Sequence, residues 1–284
     1  MNDLEQQIID LYNSGIGADT IGKQLNINRN KVYTVLKKFN IPRRDNKTKG
    51  RRYTHNHNYF ETIDTEHKAY WLGFFYADGF VNSNKDHPNG FGISISETDK
   101  SHLEKFKLDI GATNPINTYT QTSGYSNSSA YCRLIMTSEK TKNDLIDKGV
   151  LEHKTDILQF PTIEQVPDEL IHHFIRGYFD GDGCLSYTNT DTNKNYYKVK
   201  ILGTDDFLDG INEFLKNKNI ANIKHYFKRK EHQTVSSMEL NETQSLNLLN
   251  CLYQDATISL DRKYNRYCNL CEKHHVEPNG NIRC

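Results

Sequence analysis

The sequence predicts an α+β protein: two pseudo-symmetric copies of an αββαββα domain, preceded by a small all-α unit. Three observations predict it. Residues 69–79 and 173–183 carry the same aromatic, glycine-containing pattern about a hundred residues apart. Within each copy, helical stretches separate pairs of strand-like runs, with no βαβ alternation. Ahead of both copies, residues 3–40 hold three short stretches of helical periodicity.

Residues 3–14 put Leu4, Ile8 and Leu11 at helical spacing, and Gly15 stops the run. Residues 18–25 carry Ile21 and Leu25 as a second helix. Asn28 is placed to cap a third, over 29–40, with Val32, Val35, Leu36 and Phe39 on one face. Pro42 ends the pattern. Three short helices with a tight turn before the last match a helix-turn-helix unit, whose last helix would enter a DNA major groove. Its candidate DNA-binding residues are Arg29, Lys31, Thr34, Lys37 and Lys38, followed by Arg43 and Arg44 in a basic stretch suited to phosphates.

Charge supports that assignment. The chain has 284 residues, with 36 Lys+Arg balanced by 36 Asp+Glu. Yet residues 23–52 hold eleven bases and one acid, a net +10, which leaves −10 for the rest. Such segregation marks a nucleic-acid-binding arm on a different body. Six cysteines are too few for a disulfide scaffold, no apolar run approaches a membrane span, and the N-terminus lacks a secretion signal. A cytoplasmic protein, not a secreted one, is expected.

Each repeat copy is expected to run motif helix (66–78; 168–182), hairpin (80–85 with 91–97; 184–190 with 196–203), helix (99–109; 205–217), hairpin (115–121 with 129–136; 223–229 with 233–240) and closing helix (138–148; 242–253). The repeat also matches Phe106 to Phe214, Ile116 to Ile223 and Lys154 to Lys263, at offsets drifting between 104 and 109. The expected domains are 1–42, a basic linker 43–58, the copies 59–160 and 161–267, and a Cys/His tail 268–284.

Gly73 and Ala77 lie four residues apart, as do Gly177 and Gly181. Small residues on one helix face let two backbones approach, so the motif helices are expected to pack together. That places Asp78 and Asp182 side by side at two helix C-termini. Two carboxylates there, with negative dipole ends behind them, repel each other and favour a divalent cation. Oxygen ligands suit Mg²⁺, and a metal between carboxylates suits phosphodiester displacement.

WLGFFYADG (71–79) and IRGYFDGDG (175–183) resemble the two motifs of LAGLIDADG homing endonucleases, as do the phrases FPTIEQVPDELIHHFIRGYFDGDG and ATISLDRKYN. The resemblance covers about 59–267. Tyr76 departs from it, standing where the motif usually has an acid that is not a metal ligand. The resemblance implies metal ligation by Asp78 and Asp182 with the carbonyls of Ala77 and Gly181. It implies that Lys154 and Lys263 are basic residues of the catalytic pocket. Glu97 stands at a polar pocket position, with Gly203 as its counterpart. The family fold turns each four-stranded sheet into half of a saddle over double-stranded DNA. Strand parity then nominates Asn82, Asn84, Lys85, Gln121, Arg133, Lys194, Lys198, Lys200, Lys228, Arg229 and Lys230 as DNA contacts. The implied activity is Mg²⁺-dependent cleavage of both strands at a long asymmetric site, by a monomer. A catalytically inactive DNA-binding regulator and an RNA maturase are the alternatives. In the tail, Cys268, Cys271, His274 and Cys284, with His275 nearby, offer a zinc ligand set. Cys132, Cys184 and Cys251 are expected to be buried.

Overall fold

The computed structural model describes residues 3–14, 16–42, 53–82, 88–123, 126–189, 195–228 and 234–280. The chain forms two compact units, residues 1–53 and 54–284.

The first unit is three helices: α1 (Asp3–Asn13), α2 (Ala18–Gln24) and α3 (Arg29–Lys38). Ile8, Tyr12, Ala18, Ile21, Val32, Val35 and Leu36 form its core, with Leu4, Leu11, Leu25 and Phe39 packed around them. Asn28 caps α3 as expected, its side chain accepting from the Asn30 amide at 2.8 Å. The turn before α3 is tight: a Cβ on Gly22 would stand 2.8 Å from the Ile27 carbonyl oxygen. Asn28→Ala is expected to cost this unit about 1 kcal/mol. The loss would be read in the full chain as reduced hydrogen-exchange protection of Val35 and Leu36.

The second unit contains both repeat copies. The first copy runs α4 (Glu66–Ala77), β1 (Gly79–Val81), β2 (Gly90–Ser96), α5 (Lys100–Asp109), β3 (Ile116–Ser123), β4 (Ser126–Thr137) and α6 (Glu139–Asp147). The second runs α7 (Ile171–Asp182), β5 (Cys184–Asn189), β6 (Asn195–Thr204), α8 (Asp205–Asn217), β7 (Phe227–Lys228), β8 (Val235–Leu240) and α9 (Glu242–Leu252), then α10 (Asp261–Lys273). Both sheets are antiparallel and share one topology, β1-β2-β4-β3 and β5-β6-β8-β7. Polar caps start several helices: Thr65, Ser138, Thr204 and Asn241 each accept a backbone N–H three residues on.

The two copies share one continuous core. Its centre is α4 against α7. Ala69–Tyr76 and His173–Asp180 are buried on every side of their helices, as apolar helices in a protein interior are. The glycines permit this approach. A Cβ on Gly73 would overlap the Phe174 carbonyl oxygen, and one on Gly177 would overlap that of Tyr70.

Four expectations need correction. Residues 54–58, assigned to the linker, are hydrogen-bonded to the first copy: Thr54 N–H donates to Thr113 Oγ1 at 2.8 Å and Asn56 N–H to the Ile110 carbonyl at 2.8 Å. The strand placed at 223–229 shrinks to Phe227–Lys228 among the described residues. Asn212 takes both the N–H and the C=O of Ile223, so that segment pairs with a side chain instead of a strand. The start of the tail is helical: α10 crosses the 267/268 boundary, ends at Lys273 and buries Tyr264, Tyr267, Leu270 and Cys271. Cys132 is buried in β4, but Cys184 is exposed and Cys251 only half-buried.

Candidate active site

The α4/α7 pair carries Asp78 and Asp182 at its C-terminal end. Asp78 caps α4, and Asp182 is the last residue of α7. A Cβ on Gly181 would meet the Ala77 Cβ and stand 3.3 Å from Asp78 Oδ2, so each motif presses on the other. Burial and the neighbouring Asp182 charge push the Asp78 carboxyl up to about 6. The protein around Asp182 raises its carboxyl as well, although Asp182 is the more open of the two.

Two lysines oppose these acids. Lys154 Nζ donates to the Gly79 carbonyl at 2.5 Å, and Lys263 Nζ donates to the Gly183 carbonyl at 2.5 Å. Gly79 and Gly183 are the equivalent glycines after the two acids, so the repeat extends to the ammonium positions. Lys263 sits deeper, reaching also the carbonyls of Phe179 at 2.5 Å and Gly181 at 3.3 Å. Burial lowers both ammonium groups, Lys263 to about 8, while Asp78 and Asp182 pull them back up. Of the two lysines, Lys263 has the larger charge effect on Asp78, and Lys154 on Asp182.

Beside Asp78 lies a cleft of about 450 Å³ on the first-copy side, lined by Asp78, Ser94, Ser96, Asp99, Tyr131, Arg133 and Arg262 among others. Below it is a buried polar lattice that sequence reasoning missed. Asp180 is fully buried and accepts from Tyr70 Oη at 2.7 Å and the Leu260 N–H at 2.7 Å. Arg176, also fully buried, pairs with Glu66 at 2.6 Å and donates to the carbonyls of Ile258 and Leu252. Glu66 also accepts from the Thr257 N–H and Oγ1, both at 2.7 Å. This lattice ties both motif helices to the segment leading into α10, and so sets where Lys263 stands. The one sequence signal for it was the acid–aromatic difference between Asp180 and its repeat counterpart Tyr76.

The nominated metal ligands fit a hard cation. Among the described residues no three His, Cys, Asp or Glu side chains gather to hold a metal. Two carboxylates and backbone oxygens are therefore the local donors, a set that suits Mg²⁺ completed by waters and phosphate oxygens. The Gly181 carbonyl, one nominated ligand, accepts from Lys263 here.

Among the described residues the zinc set is not assembled. Cys268 is disulfide-bonded, Cys271 is fully buried, and His274 Nε2 lies 2.8 Å from a Glu242 carboxylate oxygen. Cys284 lies outside the described residues.

Of the strand candidates, Arg133 lies on the sheet face opposite the core, as do Lys198 and Lys200. Lys198 and Lys200 both pair with Glu239, at 2.7 and 3.4 Å, so that face also carries an acid. Lys228 is on the other face: it lies opposite buried Ser236 and pairs with Asp205 at 3.2 Å. Asn82 is half-buried beside β1, its N–H bonded to the Gly90 carbonyl. Asn84, Lys85, Lys194, Arg229 and Lys230 lie outside the described residues, as do Arg43, Arg44 and the Gln121 side chain. In the first unit Arg29, Lys31, Thr34, Lys37 and Lys38 are all exposed on α3. Arg29 pairs with Asp19, Lys38 with Glu5, and the Thr34 hydroxyl donates to Asn30. Glu97 does not match Gly203: it follows the Ser96 cap as Asp205 follows Thr204, two residues from the expected pairing.

No family model matches the chain, and no curated protein matches it. Solved structures do. The crystal structure of LAGLIDADG homing endonuclease I-GzeII in complex with DNA target is 15% identical, covering 76% of this chain and 94% of that one, at a TM-score of 0.48. Meganuclease I-SmaMI bound to uncleaveable DNA is 13% identical over 72% of this chain and 88% of that one, at 0.46. LAGLIDADG meganuclease I-AabMI bound to uncleaved DNA is 12% identical over 75% and 92%, at 0.42. At these identities and TM-scores the likenesses assign no residue and no activity to this chain.

Proposed function

We propose that this protein is a site-specific DNA endonuclease of the LAGLIDADG homing type. In this reading it hydrolyses both strands with a divalent cation and engages DNA also through its N-terminal three-helix unit. One observation carries the reading: Asp78 and Asp182 stand at the C-terminal ends of two glycine-packed helices, in surroundings that hold both carboxyls above their ordinary range. A site that penalises its own charge is built to receive an opposite one.

When bound, Mg²⁺ would stabilise charge on the transferring phosphoryl oxygens. Asp78 and Asp182 would hold it, with the Ala77 and Gly181 carbonyls. In each cut a water oxygen joins phosphorus, the bond to the leaving sugar oxygen breaks, and a water proton ends on that oxygen. Lys154 and Lys263 place ammonium groups beside both acids, where they oppose the negative charge that develops on the phosphate. Two residues before Asp182, buried Asp180 holds the end of α7 to Tyr70 of α4 and to the Leu260 N–H, so that end needs little reorganisation. Both carboxylates come from one chain, so a monomer suffices. Among the described residues no helix is long and apolar enough to cross a membrane.

The test is a duplex selected from random sequence by binding to the protein, cloned into a supercoiled plasmid. With Mg²⁺ the chain is expected to linearise it, and with EDTA to leave it intact. Tight, specific binding without cutting in Mg²⁺ or Mn²⁺ would instead make the protein a DNA-binding regulator.

A further inference from the structure

The two acids share a helix pair but not a neighbourhood. Ile93 and Ile201 hold equivalent buried positions on the central strands, Ile93 opposite Gly79 and Ile201 one step from the Cys184–Lys200 pair. The next cross-strand pair, one residue outward on the open face, is Ser94 with Arg133 in the first copy. In the second copy it is Leu202 with Ser237. The position before each lysine differs as well: Arg262 precedes Lys263, whereas His153 precedes Lys154.

Arg262 belongs to the second copy, yet it lines the cleft beside Asp78 of the first. Its Nε is held by both oxygens of Asp99, each at 3.0 Å, while half of its side chain stays exposed. Arg133 enters the same cleft from β4. Its Nε donates to Ser94 Oγ at 3.1 Å, and its guanidinium lies over the rings of Tyr131, Phe80 and Tyr119 at 5.1 to 6.0 Å. Among the described residues no carboxylate pairs with Arg133. A guanidinium set by aromatic faces and one Nε bond presents its two terminal nitrogens as a fork, the geometry that grips phosphate bidentately. Among the described residues the second copy has Ser237 and His153 at the corresponding places, and the cations on the open face of β6, Lys198 and Lys200, share Glu239.

We propose that Arg133 and Arg262 form a phosphate clamp on the Asp78 side alone, so that the two strands are cut in a fixed order, the strand in the Asp78 cleft first. The inference rests on the endonuclease reading. It adds two residues outside the repeated Asp and Lys set, one of them contributed across the pseudo-symmetry axis. Asp99 keeps Arg262 in place until a phosphate competes for it.

The experiment follows each strand separately. The binding-selected target, labelled differently at its two 5′ ends, is incubated with full-length protein and Mg²⁺, and nicks are resolved over time. Wild type is expected to accumulate a nick in one strand before the other. Arg133→Ala and Arg262→Ala should each slow that strand at least about tenfold and the other by less than about threefold, as loss of one charged fork predicts. Arg262→Lys should recover only part of the rate, because an ammonium keeps the charge without the fork. Simultaneous cutting by wild type, or equal slowing of both strands in the alanine variants, overturns the clamp while leaving the endonuclease reading intact. A wild-type chain that binds this target and nicks neither strand overturns both.

Discussion

Replacing Asp78 by Asn is expected to abolish double-strand cutting and, at pH 8, to make the second unit more stable than wild type. The two effects have one cause. The Asp78 carboxyl titrates at about 6 in the folded protein, against an ordinary value of 3.8. A raised carboxyl means the folded chain holds a proton that the unfolded chain has released between those two values. Stability therefore falls as pH rises from about 4 towards 7, and above that the full penalty of about 3 kcal/mol applies. Below about pH 3 both states are protonated and the penalty vanishes, and at pH 4 less than about 1 kcal/mol of it remains. Asn carries no charge, so Asp78→Asn should melt about 6 °C higher than wild type at pH 8 and at nearly the same temperature at pH 4. Asp182→Asn should move in the same direction. Cutting should fall at least about 10³-fold in either variant, with DNA binding retained. Mg²⁺ should raise the melting point of wild type at pH 8, because it restores the missing opposite charge, and should do so weakly in the variants. A variant melting below wild type at pH 8, or cutting at wild-type rate, would show that these acids are not a strained metal site.

How much of this was legible in sequence depends on the kind of interaction. The motif helices emerged within a few residues as a repeated aromatic pattern, and the hairpins other than 223–229, with the helices after them, emerged because they alternate apolar and polar residues with the period of their own structure. The helix pairing was legible too, because Gly73, Ala77, Gly177 and Gly181 have no other reason to recur at that spacing. What failed was what depends on distant partners. The second half of α10, Cys268–Lys273, was assigned to a Cys/His tail because its cysteines and the histidines after it look like metal ligands, yet Tyr264, Tyr267, Leu270 and Cys271 mark a buried face at spacings of three, three and one. Arg176 and Glu66 look like surface charges in any window of sequence. Only a segment more than seventy residues further on, supplying carbonyls and N–H groups, makes their burial possible. Lys228 was assigned by counting along a strand that Asn212 had already broken. The matches of Asp78 with Asp182 and of Lys154 with Lys263 were legible as a repeat. Arg262 was not, because it serves the copy to which it does not belong.

Gly177→Ala tests the arrangement that makes the site. An added methyl would overlap the Tyr70 carbonyl oxygen, with the Tyr70 carbonyl carbon at 2.8 Å and the Phe74 nitrogen at 3.0 Å. All three atoms are backbone, so no rotamer change relieves the clash and the helices must separate. Overpacking of a core costs about 1–3 kcal/mol, and here the strain falls on two buried helices at once, so the upper end applies. The expected loss is about 3 kcal/mol by denaturant midpoint. The effect on cutting should exceed the effect on folding. Asp78 and Asp182 sit at the ends of these helices, and a displacement of about 1 Å at a reacting group costs on the order of 10²-fold in rate. At a temperature where the variant remains folded, cutting should therefore drop about 10²-fold while the affinity of the DNA complex changes little. Gly111→Ala is the contrast. Its Cβ would meet nothing, and its left-handed φ of +64° makes the change a backbone strain remote from the helix pair. It should cost about 1 kcal/mol of stability and leave the cutting rate of the folded protein unchanged. If both variants lose rate only in proportion to stability, the close approach of α4 and α7 serves packing alone, and the acids do not depend on it for their spacing.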